Sequence, residues 1–428
     1  MKKSERVGAS GRGRLHYGFV IVACCCLMMG VNVGLTFSCA GIFYGPVSDA
    51  LGVPVGEFGI YMSVMYVTST LMLSVAGGML ERWSARWLFT GASLLMGLTF
   101  IAMGMFDDVR QFYVAGGVLG VTLAFLLYLS YPTMVNRWFR TKMGLMIGIS
   151  CAASGIGGML FNPLAGWVIT NFGWRWGYIS FGVVILAVVT PLLGLLLRDR
   201  PQDKGLMPYG ASDVDSEKKR GEADKPSVEM AGVMFGKAVR MPVFYGLMLF
   251  AFIMMGTSTL NLFIPGFVTG QSFTLEQASL AAAVVMAGVT IGKLVLGWVN
   301  DRNCKVGLLI TTMAGASGLA SLLLMDAELW GILAGAFLFG WAYAGVTVQT
   351  AMLTRKVFGQ RDYARIFSII SIALAAGGAL ASAGWGLLAD ATSLRVIFMA
   401  GIGCLMTCML LGLAALRQRK TSEDAHMS

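Results

Sequence analysis

Of 428 residues, 57% are apolar and only 13% are charged, and the formal net charge is +10. The apolar share, about 244 residues, matches the ~240 that twelve bilayer-spanning helices of ~20 residues would need. The charged share is about half the ~25% of a soluble domain. A soluble enzyme, a disordered chain and a secreted disulfide scaffold are thereby excluded. The 56 glycines suit membrane helices whose backbones approach closely. An all-α membrane protein is expected.

Apolar runs follow one another at 17–43, 58–80, 87–106, 112–135, 143–171, 176–197, 243–268, 277–299, 307–325, 329–353, 364–389 and 394–416, numbered 1 to 12 below. Run 1 is too long for a signal-peptide core and reads as the first span. The connections alternate sharply in charge. Residues 1–16, the even-numbered loops and the tail after run 12 hold 28 of the 32 Lys and Arg, whereas the odd-numbered loops hold only Arg110, Arg175 and Arg395. By the positive-inside rule both termini are cytoplasmic. The basic balance is therefore a topology signal rather than a nucleic-acid footprint.

Taken in chain order, the runs carry little ionisable chemistry. Run 1 holds Cys24, Cys25 and Cys26, then Asn32 and Thr36; run 4 holds Tyr128 and Tyr131 near its inner end. Run 5 contains Gly158, Asn162, Pro163 and Gly166, a spacing that permits close packing and a local bend. Run 7 offers Thr257 and Asn261, and run 10 offers Trp341 and Tyr343. Run 8 holds the remaining cation, Lys293. An ionised lysine in the bilayer costs about 2.5–3.5 kcal/mol unless compensated, which makes it a functional candidate. The competing reading is snorkelling, since Lys293 lies about six residues, or ~9 Å, from the inner end of its run. The acids Asp49, Glu57, Glu276 and Asp390 all fall near outer ends, and no acid lies within a core. The scattered cysteines and two tail histidines lack metal-ligand spacing, so neither metal nor cofactor is expected. No phosphate-binding loop of the G-x-x-x-x-G-K-[ST] type occurs, which argues against ATP-driven work.

The connection at 198–241 is the longest and most polar, and its centre ASDVDSEKKRGEADKP reads as a flexible linker. It separates two sets of six runs that repeat one another. Gly77, Glu81 and Arg82 recur as Gly297, Asp301 and Arg302 at an offset of 220, and Gly157–Gly158 recur as Gly377–Gly378. The expected units are a tail at 1–16, a six-helix half at 17–197, the linker at 198–241, a second half at 242–416 and a tail at 417–428.

Through these motifs the chain resembles the major facilitator superfamily over nearly its whole length. Its usual Gly-x-x-x-Asp-Arg-x-Gly-x-Arg appears here with Glu81 for Asp and Ser84 for Gly. A carboxylate and an arginine at a helix end can form a charged latch, so Glu81, Arg82, Asp301 and Arg302 are candidates for a cytoplasmic gate. Positive-inside anchoring would explain the same residues more simply. Within the superfamily the chain looks most like the oxalate/formate antiporter and bacterial monocarboxylate transporter group. The strings GIFYGPVSDALG (41–52), RWFRTKMGLMIGI (137–149), GWRWGY (173–178), RDRPQDKGLMPYG (198–210) and GKLVLGWVNDR (292–302) carry that likeness.

The resemblance implies twelve helices in two pseudo-symmetric halves, with helices 1, 4, 7 and 10 lining a central cavity. It places Lys293 where the family's basic residue of helix 8 meets a substrate carboxylate. Asn32, Thr36, Tyr128, Thr257, Asn261, Trp341 and Tyr343 become further substrate-binding candidates. The expected protein is no enzyme but a secondary transporter of small organic anions, monocarboxylates first, working by exchange or proton-linked symport. A facilitator for another solute, such as a drug or sugar, shares the fold. A cationic drug would call for a buried acid, and a sugar for more Asn and Gln. A monomer in a bacterial inner membrane is expected, with a carboxylate and the lipid bilayer as partners and no nucleic acid.

Overall fold

The computed structural model describes residues 16–211, 232–325, 328–359 and 361–427. Among these, twelve helices are long and apolar enough to cross a bilayer: α1 Gly18–Leu51, α2 Val55–Arg82, α3 Ala85–Met103, α4 Val109–Trp138, α5 Met143–Phe172, α6 Trp174–Leu196, α7 Pro242–Gly270, α8 Leu275–Arg302, α9 Cys304–Leu324, α10 Leu329–Phe358, α11 Arg365–Ala391 and α12 Leu394–Arg417. Local capping explains several of the tight connections. The Asp108 carboxylate accepts from Arg110 N–H ahead of α4, Thr274 and Gln277 cap each other ahead of α8, and Asn303 accepts from Lys305 and Val306 N–H ahead of α9. The first span runs beyond its apolar run, through Pro46 to Leu51, and is stopped by Gly52 in the left-handed region at φ 66°. With twelve crossings, residues 16 and 427 lie on one face, called here the termini face.

The sequence repeat is an architectural one. Helices α2 and α8, α4 and α10, and α6 and α12 begin 220 residues apart, and the helical turn opening α11 at Tyr363 stands 220 after Met143. The fold is therefore two six-helix halves. The 198–241 connection begins and ends as part of these halves. Arg140 N–H donates to Tyr209 O and Tyr209 N–H to Trp138 O, while Val233 N–H donates to Phe358 O and Phe235 N–H to the Asp362 carboxylate. The two family-like strings at 137–149 and 198–210 thus meet each other on the termini face. Residues 212–231, with nearly all of the expected flexible centre, and residues 1–15 of the N-terminal tail lie outside the described residues. In the tail expected at 417–428, α12 continues as helix to Met427, and residue 428 lies outside the described residues.

Large apolar side chains such as Leu71, Leu160, Leu294 and Leu380 stand exposed around the bundle, which a bilayer covers and water would not. Exposed Trp83, Trp87 and Trp298 on one side and Trp176 and Trp330 on the other mark two aromatic belts near the helix ends. The halves meet along α2–α11, α5–α8 and α1–α7. Those seams are tight toward the face away from the termini. Gly41 packs its backbone on Leu262, Gly56 packs on Gly386 and Leu387, and the Tyr44 and Phe263 rings meet edge to face at 5.6 Å. Toward the termini face the seams part. Gly148 on α5 and Gly297 on α8 have no atom within 4 Å of where a Cβ would sit. The protein is closed at one face and open toward the termini.

Candidate functional site

Backbone irregularity marks four of the helices at membrane depth, an all-apolar π stretch at Ile185–Val189 of α6 and three others that carry or adjoin polar groups. Met28–Ser38 of α1 and Ala124–Leu129 of α4 wind as π-helix, and Thr259–Phe263 of α7 as 3-10 helix. Such stretches leave carbonyls poorly paired and persist in a membrane only where protein or a cavity surrounds them. These three place polar groups at the centre of the molecule. A cavity of about 10 Å³, enough for one water, lies among Phe37, Tyr66, Ser258, Thr259, Asn261 and Tyr343. Asn261 Oδ1 is buried there without a hydrogen-bond partner. Leaving a buried acceptor unmade costs about 1–3 kcal/mol, which points to a solute or water that completes it.

Tyrosines from three helices crowd this centre. Tyr66 of α2 and Tyr343 of α10 line this cavity, the Tyr66 ring lies 5.3 Å from that of Phe37, and Tyr128 of α4 stands near both tyrosines and Ser69. Tyr128, Asn261 and Tyr343 are thus brought together. Lys293 sits at the same level on α8. Gly292, its neighbour in sequence, packs against Ala344 and Trp341, and Trp341 Nε1 is buried with no acceptor. Lys293 lies deep within the protein and is only partly accessible. Among the described residues it makes no ion pair or hydrogen bond. The titratable side chain that interacts with it is the Cys151 thiol of α5, which also reaches the Tyr131 hydroxyl. The hypothesis of a snorkelling lysine predicts an ammonium in the head-group layer, not one beside mid-helix Cys151.

Three other candidates turn away from this centre. Asn32 Nδ2 donates to Ser93 Oγ of α3 at 2.9 Å, and Ser93 in turn meets Thr190 of α6 at 3.2 Å. Thr36 bonds to Asn32 O and Met96 Sδ, again toward α3. Thr257 bonds to Ile253 O and is the partner of Cys404 on α12. These groups tie helices together within a half. Sequence reading passed over Tyr66, Ser258 and Cys151. Tyr66 lies mid-run in α2, but nothing in a uniformly apolar run shows which way a single tyrosine faces. The gate candidates Glu81, Arg82, Asp301 and Arg302 are all exposed and form no ion pair with one another, and Arg302 instead lies 3.8 Å above the Trp298 ring. An open termini face leaves them that way.

The family model for the Major Facilitator Superfamily matches residues 22–302 and 247–426. Among curated relatives, the oxalate:formate antiporter of Oxalobacter formigenes is 25% identical over 392 residues, covering 86% of this chain and 84% of that one. Monocarboxylate transporter 12 of Rattus norvegicus is 22% identical over 323 residues, covering 71% of this chain and 65% of that one. Among solved structures, a bacterial homologue of the human lysosomal transporter Spinster, described as inward-facing and occupied, superposes with a TM-score of 0.73 at 15% identity, covering 95% of this chain and 98% of that one. That likeness concerns the fold.

Proposed function

The chain belongs to the major facilitator superfamily and is a multi-pass membrane transporter, and from that premise we propose that it carries small organic monoanions, monocarboxylates foremost, by alternating access. One observation carries the reading: Lys293 is an unpaired cation deep between the halves, with no Asp or Glu against it among the described residues. An uncompensated charge there is costly, and a substrate carboxylate supplies the missing partner. Tyr128, Tyr343, Tyr66 and Asn261 offer hydroxyl and amide groups around the remainder of a small solute. The named carboxylate carriers among the relatives agree with this chemistry.

In this reading the termini face is cytoplasmic, as the distribution of Lys and Arg requires, and the described state is open to the cytoplasm. Rocking of the halves around the midplane site closes that side. Asp301 and Arg302 on α8, with Glu81 and Arg82 on α2, then gather at helix ends, where carboxylates favour N-termini and arginines favour carboxylates. The test is uptake of a panel of radiolabelled carboxylates into proteoliposomes containing the native protein or Lys293→Ala. Carboxylate uptake that needs Lys293 supports the reading. Uptake of a neutral or cationic solute, unchanged in Lys293→Ala, rejects it.

A further inference from the structure

The α5–α8 seam has a readable register. A Cβ on Gly166 would lie 2.6 Å from Ser279 Cβ, one on Gly158 2.6 Å from Met286 Cγ, and one on Gly155 would meet the Thr290 hydroxyl. The helices run antiparallel, each step forward on α5 matched by a step back on α8. Continued one turn toward the open face, this register sets Cys151 opposite Lys293. Cys151 is also near enough to Lys293 to act on it electrostatically. Cys151 is the point at which the seam parts, because Gly148 and Gly297, one turn further on, already face open space. Two further helices frame the same spot. Cys26 Sγ of α1 approaches Ile149 O at 4.0 Å, and Tyr131 of α4 reaches Cys151.

We propose that Cys151 forms the wall of the anion site opposite Lys293, so that the bound solute lies between thiol and ammonium, and that this thiol is a modification site for anionic electrophiles entering from the termini face. The proposal rests on the monoanion reading given above. It adds a residue that neither composition nor motif singles out. Cys151 is only partly covered, whereas Cys24, Cys25, Cys39, Cys304 and Cys408 are buried. A negatively charged reagent is drawn to Lys293 and delivered to the thiol beside it. With a methanethiosulfonate the thiolate attacks the sulfenyl sulfur. A disulfide to Cys151 forms, the S–S bond of the reagent breaks, and methanesulfinate leaves with the electron pair.

The experiment uses the purified full chain and two reagents of similar size, anionic methanethiosulfonate ethylsulfonate and its cationic ethyltrimethylammonium counterpart. Labelling of Cys151 is followed by peptide mapping. The anionic reagent should label it faster by roughly tenfold, the effect of one nearby unit charge in a partly shielded site. Lys293→Gln should erase that preference and Lys293→Arg should keep it. Saturating lactate should slow labelling in the native protein by about fivefold or more. Labelling that is absent or indifferent to reagent charge overturns the inference, even when Lys293→Ala abolishes carboxylate uptake. Charge-selective, Lys293-dependent labelling that no carboxylate slows keeps the thiol–ammonium pair and overturns its place in a carboxylate site.

Discussion

The carboxylate of Asp390, at the end of α11, accepts a 2.7 Å hydrogen bond from the backbone N–H of Gly56 in the first turn of α2. The bond joins the two halves on the face away from the termini. Gly56 is there because the seam leaves no room for a side chain: a Cβ would sit 2.5 Å from that same carboxylate and 2.5 Å from Leu387 N. Two turns along, Ala383 N–H donates to Ser63 Oγ at 3.1 Å across the same seam. A carboxylate at a helix N-terminus contributes about 1 kcal/mol when partly exposed. Removing it should shift a two-state equilibrium by about fivefold. Asp390→Ala should therefore favour opening of that face, and Asp390→Asn, which keeps an acceptor, should do so less. Spin labels at Val53 and Leu394 read the change as a longer inter-label distance. An unchanged distribution in Asp390→Ala would remove the latch.

Closure of the opposite end should depend on the same seam geometry. Gly148 and Gly297 face one another in the α5–α8 register and are unfilled in the open state. Bringing them together lets the backbones touch, as small residues do between membrane helices. Gly148→Leu or Gly297→Leu should hold the termini face open, reducing transport at least tenfold while leaving substrate binding within about threefold. Paired cysteines at 148 and 297 should cross-link only in the closed state, when the Cα atoms come within the ~4.4–6.8 Å that a disulfide spans. Efficient cross-linking of every molecule, or normal transport by the leucine variants, would defeat this account of closure.

On the proposed reading, the charge at Lys293 should set substrate valence. One buried cation compensates one carboxylate, and a second carboxylate would remain unpaired at a cost of several kcal/mol. On α11, Arg365 stands at the helix entrance, 4.2 Å above the Phe235 ring, far along the helix from the central Gly377–Gly378. Lys293→Ala should abolish carboxylate transport, and Lys293→Arg should retain a measurable fraction. A lysine lacks the two-pronged geometry of a guanidinium, so affinity should be modest and selectivity broad. Tight binding of oxalate, measured by calorimetry, would contradict the monoanion assignment.

Proton coupling, where present, should bypass the acids. Glu57 and Glu276 lie in the first turns of α2 and α8, and Asp390 serves the seam just described. Proton relays in membranes place carboxylates within the span, and none occurs there. Glu57→Gln and Glu276→Gln should leave proton-driven uptake within about twofold of native, and Asp390→Asn should alter exchange and net uptake together. Loss of proton-driven uptake with exchange intact, in any one variant, would show a coupling acid.

Topology has its own test. Reporter fusions near residues 108, 215 and 327 should read outside, inside and outside, matching the distribution of Lys and Arg. Reversed reporters would invert the assignment of the two faces.

Span number, duplication and depth were legible in the sequence because each rests on local or summed properties. A run of about twenty apolar residues must cross the bilayer as a helix, since no water is present to pair its backbone. The offset of 220 between Glu81–Arg82 and Asp301–Arg302 reappears in the starts of α2 and α8. Lys293 was conspicuous because a charge in an apolar span needs a reason. Azimuth was not legible. Asn32, Thr36 and Thr257 lie at suitable depth but turn into their own halves, while Tyr66 and Cys151 turn toward the centre. In a helix apolar on every side, the 3.6-residue period carries no amphipathic signal to say which face is inward. The π-wound stretch of α1 rotates its later residues further from any ideal wheel. Only the seams, where Gly41 and Gly56 meet the partner backbone and Gly158 meets the Met286 side chain, set that rotation. They also decide that this state is closed at one face and open at the other, because alternating-access states share every local helix and differ only in which ends of the seams touch.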